Sequence, residues 1–168
     1  MVDLGADLRR QPLASELAAV TPHPQVALRV LDPAAQHLVT TAITANLPAA
    51  GRLGENPTAI WQAPDRWLLV SDEGPLPGRP AADMVSDLTD GLALFEIEGP
   101  AARAVLQQAM TFDLAALAPG QAAVTLFAGL RVTVYPWRRA DCWRLHVERA
   151  SARYVWDWLT TAASAVAG

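Results

Sequence analysis

The stretch Leu92-Ala-Leu-Phe-Glu-Ile-Glu-Gly-Pro-Ala-Ala-Arg-Ala-Val-Leu-Gln-Gln-Ala-Met110 holds a strand and a helix end to end. From Leu92 to Glu98, apolar and polar positions alternate, the pattern of a strand. Gly99-Pro100 breaks that run, and a proline is well placed at the first position of a helix. Ala102, Val105, Leu106, Ala109 and Met110 then fall on one stripe at helical spacing. A switch of hydrophobic period from two to 3.6 within one run marks a β-α unit.

Downstream of this unit, Ala122 to Leu126 and Leu130 to Tyr135 read as a hairpin turning at Ala128-Gly129. Cys142 to Glu148 reads as a further strand with Trp143, Leu145 and Val147 on one face. Ser151 caps a closing helix whose Tyr154, Val155, Trp158, Leu159 and Ala162 are expected to point inward. Upstream, a related order is expected. Gln25 to Leu31 is a strand, and Asp32-Pro33 opens a helix with Leu38, Val39, Ala42 and Ile43 on one face. Pro48 stops that helix. Thr58 to Gln62 and Arg66 to Ser71 are strands joined at Ala63-Pro64-Asp65. The Gly- and Pro-rich loop from Asp72 to Pro80 separates the two halves. The expected fold class is therefore α+β, with two related split β-α-β halves and a mainly antiparallel sheet. Residues 1–24 read as an extended arm, either lying on another surface or a floppy terminus, with residues 25–80 the first half and residues 81–168 the second.

Composition closes off several function classes. Of 168 residues, 52% are hydrophobic and 18% charged, which is enough for a core with some left for a partner surface. A net charge of −4 provides no basic stripe to neutralise phosphates, so nucleic acid is not an expected partner. All thirteen basic residues are Arg. Without Lys there is no Schiff base, no phosphate-loop lysine and no lysine general base. The single cysteine, Cys142, allows no internal disulfide, and with no basic neighbour but Arg144 it reads as an inert thiol. His23, His37 and His146 show no metal-ligand spacing. No run approaches the ~20 apolar residues of a membrane helix and no secretory signal is visible, so a cytoplasmic location is expected.

Several segments, taken in order, are similar to the gamma subunit family of heterotetrameric sarcosine oxidase. They are Pro12-Leu-Ala-Ser-Glu-Leu-Ala18, Ala63-Pro-Asp-Arg-Trp-Leu-Leu-Val70, Val85-Ser-Asp-Leu-Thr-Asp-Gly91, Glu98-Gly-Pro-Ala-Ala-Arg103, Thr111-Phe-Asp-Leu114, Pro119-Gly-Gln121 and Tyr154-Val-Trp-Asp-Trp-Leu159. More loosely, the same series resembles the folate-binding T protein of glycine cleavage. The resemblance implies a fold of that kind and a role in a complex that demethylates sarcosine oxidatively to glycine. In such complexes the alpha and beta subunits carry FAD, FMN, NAD and the tetrahydrofolate site, the delta subunit binds zinc, and the gamma subunit holds no cofactor. The implied partners are thus alpha, beta and delta subunits, with self-association possible for the isolated chain.

The alternative, a free-standing folate-binding protein of the T-protein type, requires a carboxylate on the strand after the hairpin turn. Leu126-Phe-Ala-Gly-Leu-Arg-Val-Thr-Val-Tyr135 carries none, and no Asp or Glu occurs between Asp113 and Asp141. A general acid or base needs a titratable group in hydrogen-bond reach of its proton, and Arg131 cannot serve. Asp87 and Asp90 read as turn residues. Glu96 and Glu98 share one strand face and suggest a solvated rim or a surface for a partner's arginines. His146 is expected to face away from the core. The remaining signal is aromatic and guanidinium-rich: Trp61, Arg66, Trp137, Arg138, Arg139, Arg153 and Trp156 are the expected interface residues, since Trp and Arg dominate interface hot spots. No catalytic, cofactor-binding or metal-binding residue is assigned.

Overall fold

The computed structural model describes residues 13, 17, 24–42, 47, 49, 58–74, 76 and 82–166. Two hairpins set the framework. Strands β3 (Thr58–Ala63) and β4 (Arg66–Ser71) turn at Pro64-Asp65, where Asp65 takes φ 57°. Strands β7 (Ala123–Phe127) and β8 (Leu130–Pro136) turn through Ala128 and Gly129 at φ 47° and 85°. Two successive positive φ angles give a turn whose twist matches that of the strands it joins. Both hairpins lie within a residue of the expected bounds.

Around them lie β1 (Ala27–Leu31), β2 (Ala35–Thr40), β5 (Met84–Asp87), β6 (Leu92–Glu98) and β9 (Cys142–Glu148). Among the described residues the strand pairings are antiparallel and form two sheets, ordered β1-β6-β9-β8-β7 and β3-β4-β2-β5. Each sheet borrows one strand from the other side of residue 80: β1 joins β6, and β5 joins β2. Two helices, α1 (Ala102–Gln107) and α2 (Ala152–Val166), cover one face of the five-stranded sheet. The main core lies between them, with Phe95, Ile97, Leu145 and Val134 of the sheet against Val105, Leu106, Val155 and Leu159 of the helices. The α+β class with mainly antiparallel sheet holds.

The opposite face of the five-stranded sheet packs on the four-stranded sheet. Tyr135 of β8 sits in a cluster with Ile60, Leu68 and Val70. A third cluster, with Ala35, Val39, Trp67 and Leu69, occupies the far side of the four-stranded sheet. The order is helices, sheet, sheet, so β9 is buried on both faces.

The helix expected after Asp32-Pro33 is instead strand β2. Its register pairs His37 with Leu69 on one side and with Asp87 on the other. Interior strand positions with two hydrogen-bonded neighbours override a local capping signal, and β-branched Val39 and Thr40 suit the pleat. The Asp32 carboxylate, expected to cap that helix, accepts a hydrogen bond from the Leu13 N–H at 3.1 Å. Leu13 and Leu17 are each 4% exposed and belong to the main core. Apart from Pro24, the rest of the expected arm, and Ile43 of the expected helix face, lie outside the described residues. The second half matches its expected elements closely, from β6 through α1 to β9 and α2.

Candidate functional site

Where the two sheets meet, apolar packing gives way to a polar seam. Tyr135 Oη lies 2.9 Å from His146 Nε2, and His146 Nδ1 lies 2.8 Å from Gln36 Oε1. Gln36 in turn donates its amide to the Leu92 carbonyl at 3.2 Å. The amide oxygen of Gln36 can only accept, so the proton of the neutral ring sits on Nδ1 and Tyr135 donates to Nε2. Burial, and secondarily the Arg144 guanidinium, hold the His146 pKa down at about 3, so the ring is neutral at any ordinary pH. Burial likewise pushes the Tyr135 phenol well above its usual value. His146 was expected to face outward. It does leave the helix-covered face, but its other side is covered by the second sheet, and it is 2% exposed.

Beside this seam, Arg144 is held at 6% side-chain exposure. Its guanidinium meets both Asp72 oxygens at 3.0 Å, reaches Glu96 at 3.4 Å, and lies 4.0 Å from the ring centre of Trp137. A buried guanidinium needs such pairing on every side. Arg29 bridges Glu96 and Glu98 at 3.0 and 2.7 Å, and Arg139 bonds Glu98 and Asp141. Glu96 and Glu98 therefore face arginines of their own chain, rather than a partner's. They form a cross-strand ladder over β1, β6 and β9.

The expected interface residues separate into distinct groups. Trp156 is 5% exposed and stacks on Phe95 with ring centres 5.8 Å apart, so it is a core residue. Tyr154, expected inward, is 52% exposed instead. Helix α2 turns Trp156 onto the sheet, while Trp158 reaches Phe127 edge-on at 4.9 Å. Trp61 and Trp137 are half-buried, at the margins of the two smaller clusters. Arg66, Arg138, Arg139 and Arg153 are exposed. Arg138 lies 5.2 Å from the ring centre of Trp137, and Arg153 pairs with Asp157 one turn on. Trp137 with Arg138 and Arg139 is the one part of the expected set that the fold gathers into a single surface feature.

None of the weighed acids stands in a reacting arrangement. Asp87 accepts from the Thr89 N–H and hydroxyl at 2.9 and 2.6 Å, which lowers its pKa and closes the turn after β5. The Cys142 thiol is buried, and burial raises its pKa, with Glu96 adding to the effect. Strand β8 carries no carboxylate at all. Sequence reasoning missed Gln36, Thr133 and Asp72, because their partners lie on the other sheet, and Tyr135, whose partner His146 lies on the neighbouring strand. Their spacing along the chain carries no trace of that meeting.

The sequence model of a family described as "Sarcosine oxidase, gamma subunit family" matches residues 29–165. The sarcosine oxidase subunit gamma of Corynebacterium sp. (strain U-96) is 29% identical over 157 aligned positions, covering 83% of this chain and 75% of that protein. A chain of the heterotetrameric sarcosine oxidase from Corynebacterium sp. U-96, solved in complex with pyrrole 2-carboxylate, superposes with a TM-score of 0.78 at 25% identity. That likeness covers 96% of this chain and 97% of the other. With a fold shared nearly end to end and a family match over most of its length, this chain belongs to the sarcosine oxidase gamma subunit family.

Proposed function

We propose that this chain is the gamma subunit of a heterotetrameric sarcosine oxidase-like complex and supplies no reacting group to it. The complex oxidises sarcosine with oxygen to glycine and hydrogen peroxide, releasing the methyl carbon as formaldehyde or passing it to tetrahydrofolate. Alpha and beta subunits carry the flavins, NAD and the folate site, and the delta subunit carries zinc. The observation that carries the reading is the near end-to-end structural likeness to a chain of such a complex. It is supported by the way the interior titratable groups are used. His146, Tyr135 and Arg144 bond to one another's neighbours and to side chains of this chain, holding sheet to sheet. The absence of a carboxylate on β8 removes the folate-transferase alternative's central group.

The test is co-expression with the neighbouring genes, using an affinity tag on this chain alone. Flavin-bearing large subunits should elute in stoichiometric amount and consume oxygen when given sarcosine. Elution of this chain alone, with tetrahydrofolate raising its Tm, would instead support a free-standing folate-binding protein.

A further inference from the structure

Strand β7 ends the five-stranded sheet, and its outer edge is open among the described residues. The two-residue turn at Ala128-Gly129 makes Phe127 and Leu130 a hydrogen-bonded pair, and alternation makes Thr125 with Val132 the next one. Val124 and Leu126 therefore turn their N–H and C=O groups away from β8, toward the open side. Among the described residues no other segment bonds to them. Natural sheets guard such edges with charges, prolines or bulges. Strand β7 has none of these: Ala-Val-Thr-Leu-Phe is uncharged, its register with β8 is unbroken, and Leu126 is 52% exposed. The edge is also held in place. The Ala128 N–H donates to the Ala109 carbonyl at 2.8 Å, and Phe127 packs on Trp158. Leu126 lies opposite Arg131 of β8, on the same face of the sheet. Arg131 is exposed, reaches the Gln62 carbonyl at 3.4 Å, and among the described residues pairs with no carboxylate.

We propose that β7 is a docking edge, to which an extended, acidic segment of a partner subunit adds as a further strand. The proposal rests on the accessory-subunit reading above. Val124 and Leu126 each offer one backbone N–H and one C=O, which an added strand can pair in either direction. Those bonds give affinity, and side chains give specificity. Leu126 takes an apolar side chain of the incoming strand. Arg131 selects its charge: a carboxylate there, two strand spacings or roughly 10 Å from β8, is within reach of the guanidinium across Leu126. A second copy of this chain fits less well. Two β7 strands paired about Thr125 would set Leu126 against Val124, yet neither hairpin strand carries a carboxylate for Arg131.

The experiment compares amide hydrogen exchange, read by mass spectrometry, in the isolated chain and in the tagged, co-expressed complex. The Val124 and Leu126 amides should exchange freely in the isolated chain and slow at least about tenfold in the complex. Val124→Pro removes an outward N–H without touching the β7–β8 ladder. It should leave the Tm of the isolated chain unchanged and lower recovery of the flavin-bearing subunits about tenfold, the worth of one hydrogen bond. Leu126→Lys alters only an exposed side chain and should act in the same direction, which keeps the test valid if the proline unsettles the strand. Arg131→Glu should also reduce recovery, and Arg153→Gln on α2 should not. Unchanged exchange at β7 in an assembled complex, or full recovery with Val124→Pro and Leu126→Lys, would overturn the docking edge and leave the accessory-subunit reading standing. Full recovery with Arg131→Glu would overturn the acidic partner. Concentration-dependent protection of β7 in the isolated chain would overturn the proposal in favour of a second copy. Failure of the unaltered chain to recover any partner would remove both readings together.

Discussion

His146 shows how a residue's position in a layer outweighs its position in a strand. Alternation places it opposite Leu145 and Val147, and in a two-layer protein that would mean water. Here a second sheet lies on that side, and the ring is neutral, buried and bonded at both nitrogens. Its folded pKa of about 3 lies below the ordinary histidine value of 6.5, so between those values the unfolded chain binds a proton that the folded chain does not. Stability must therefore rise with pH across that window, by up to about 1.4 kcal/mol per pH unit from this group alone. Urea denaturation between pH 6.5 and 4.5, above the range where carboxylates dominate, should show this slope. His146→Gln should flatten it; an unchanged slope would mean that another group titrates. Gly99 is a second residue fixed by its surroundings. It takes φ +125°, and an added Cβ would lie 2.5 Å from the Gln25 carbonyl oxygen, where the chain enters β1. Gly99→Ala should cost about 2–4 kcal/mol by chemical denaturation, combining a disfavoured φ with a backbone clash.

Among the elements, α2 makes the sharpest test of burial against composition. Trp156→Ala should destabilise the isolated chain by about 3–5 kcal/mol, as loss of a buried aromatic does. Tyr154→Ser, one turn edge away but 52% exposed, should stay within about 0.5 kcal/mol in the same urea titration. The sequence placed Trp158 inward and Trp156 at an interface; both pack on the main core, Trp156 the more deeply, because helical spacing gives the stripe and not its rotation on the sheet. The elements from β6 to α2 were legible, since each carries a clean period and a turn signal of its own. Strand β2 was not. Its Asp-Pro start and its Leu38-Val39 pair imitate a helix, and the choice between the two rests on β4 and β5, which pair with it from far along the chain. The polar seam was illegible for the same reason: Gln36 and His146 meet across a sequence distance of 110 residues.

For the molecule as a whole, the helix–sheet–sheet stack uses its polar interior as a fastener between sheets and keeps Trp137, Arg138 and Arg139 at the surface. The proposed role, that in the assembled complex this chain buttresses and does not react, is open to a direct measurement. Asp87 is tied into the turn by Thr89 and the Cys142 thiol is buried with a raised pKa, so neither is held as a base or nucleophile would be. The decisive assay is sarcosine-dependent peroxide formation by complexes of equal subunit and flavin content, carrying Asp87→Asn with Asp90→Asn, or Cys142→Ala, in this chain. Turnover within about twofold of the parent complex is the result predicted. A fall of roughly a hundredfold or more with the assembly intact, the size of a lost general acid or base, would contradict it and place chemistry in this subunit.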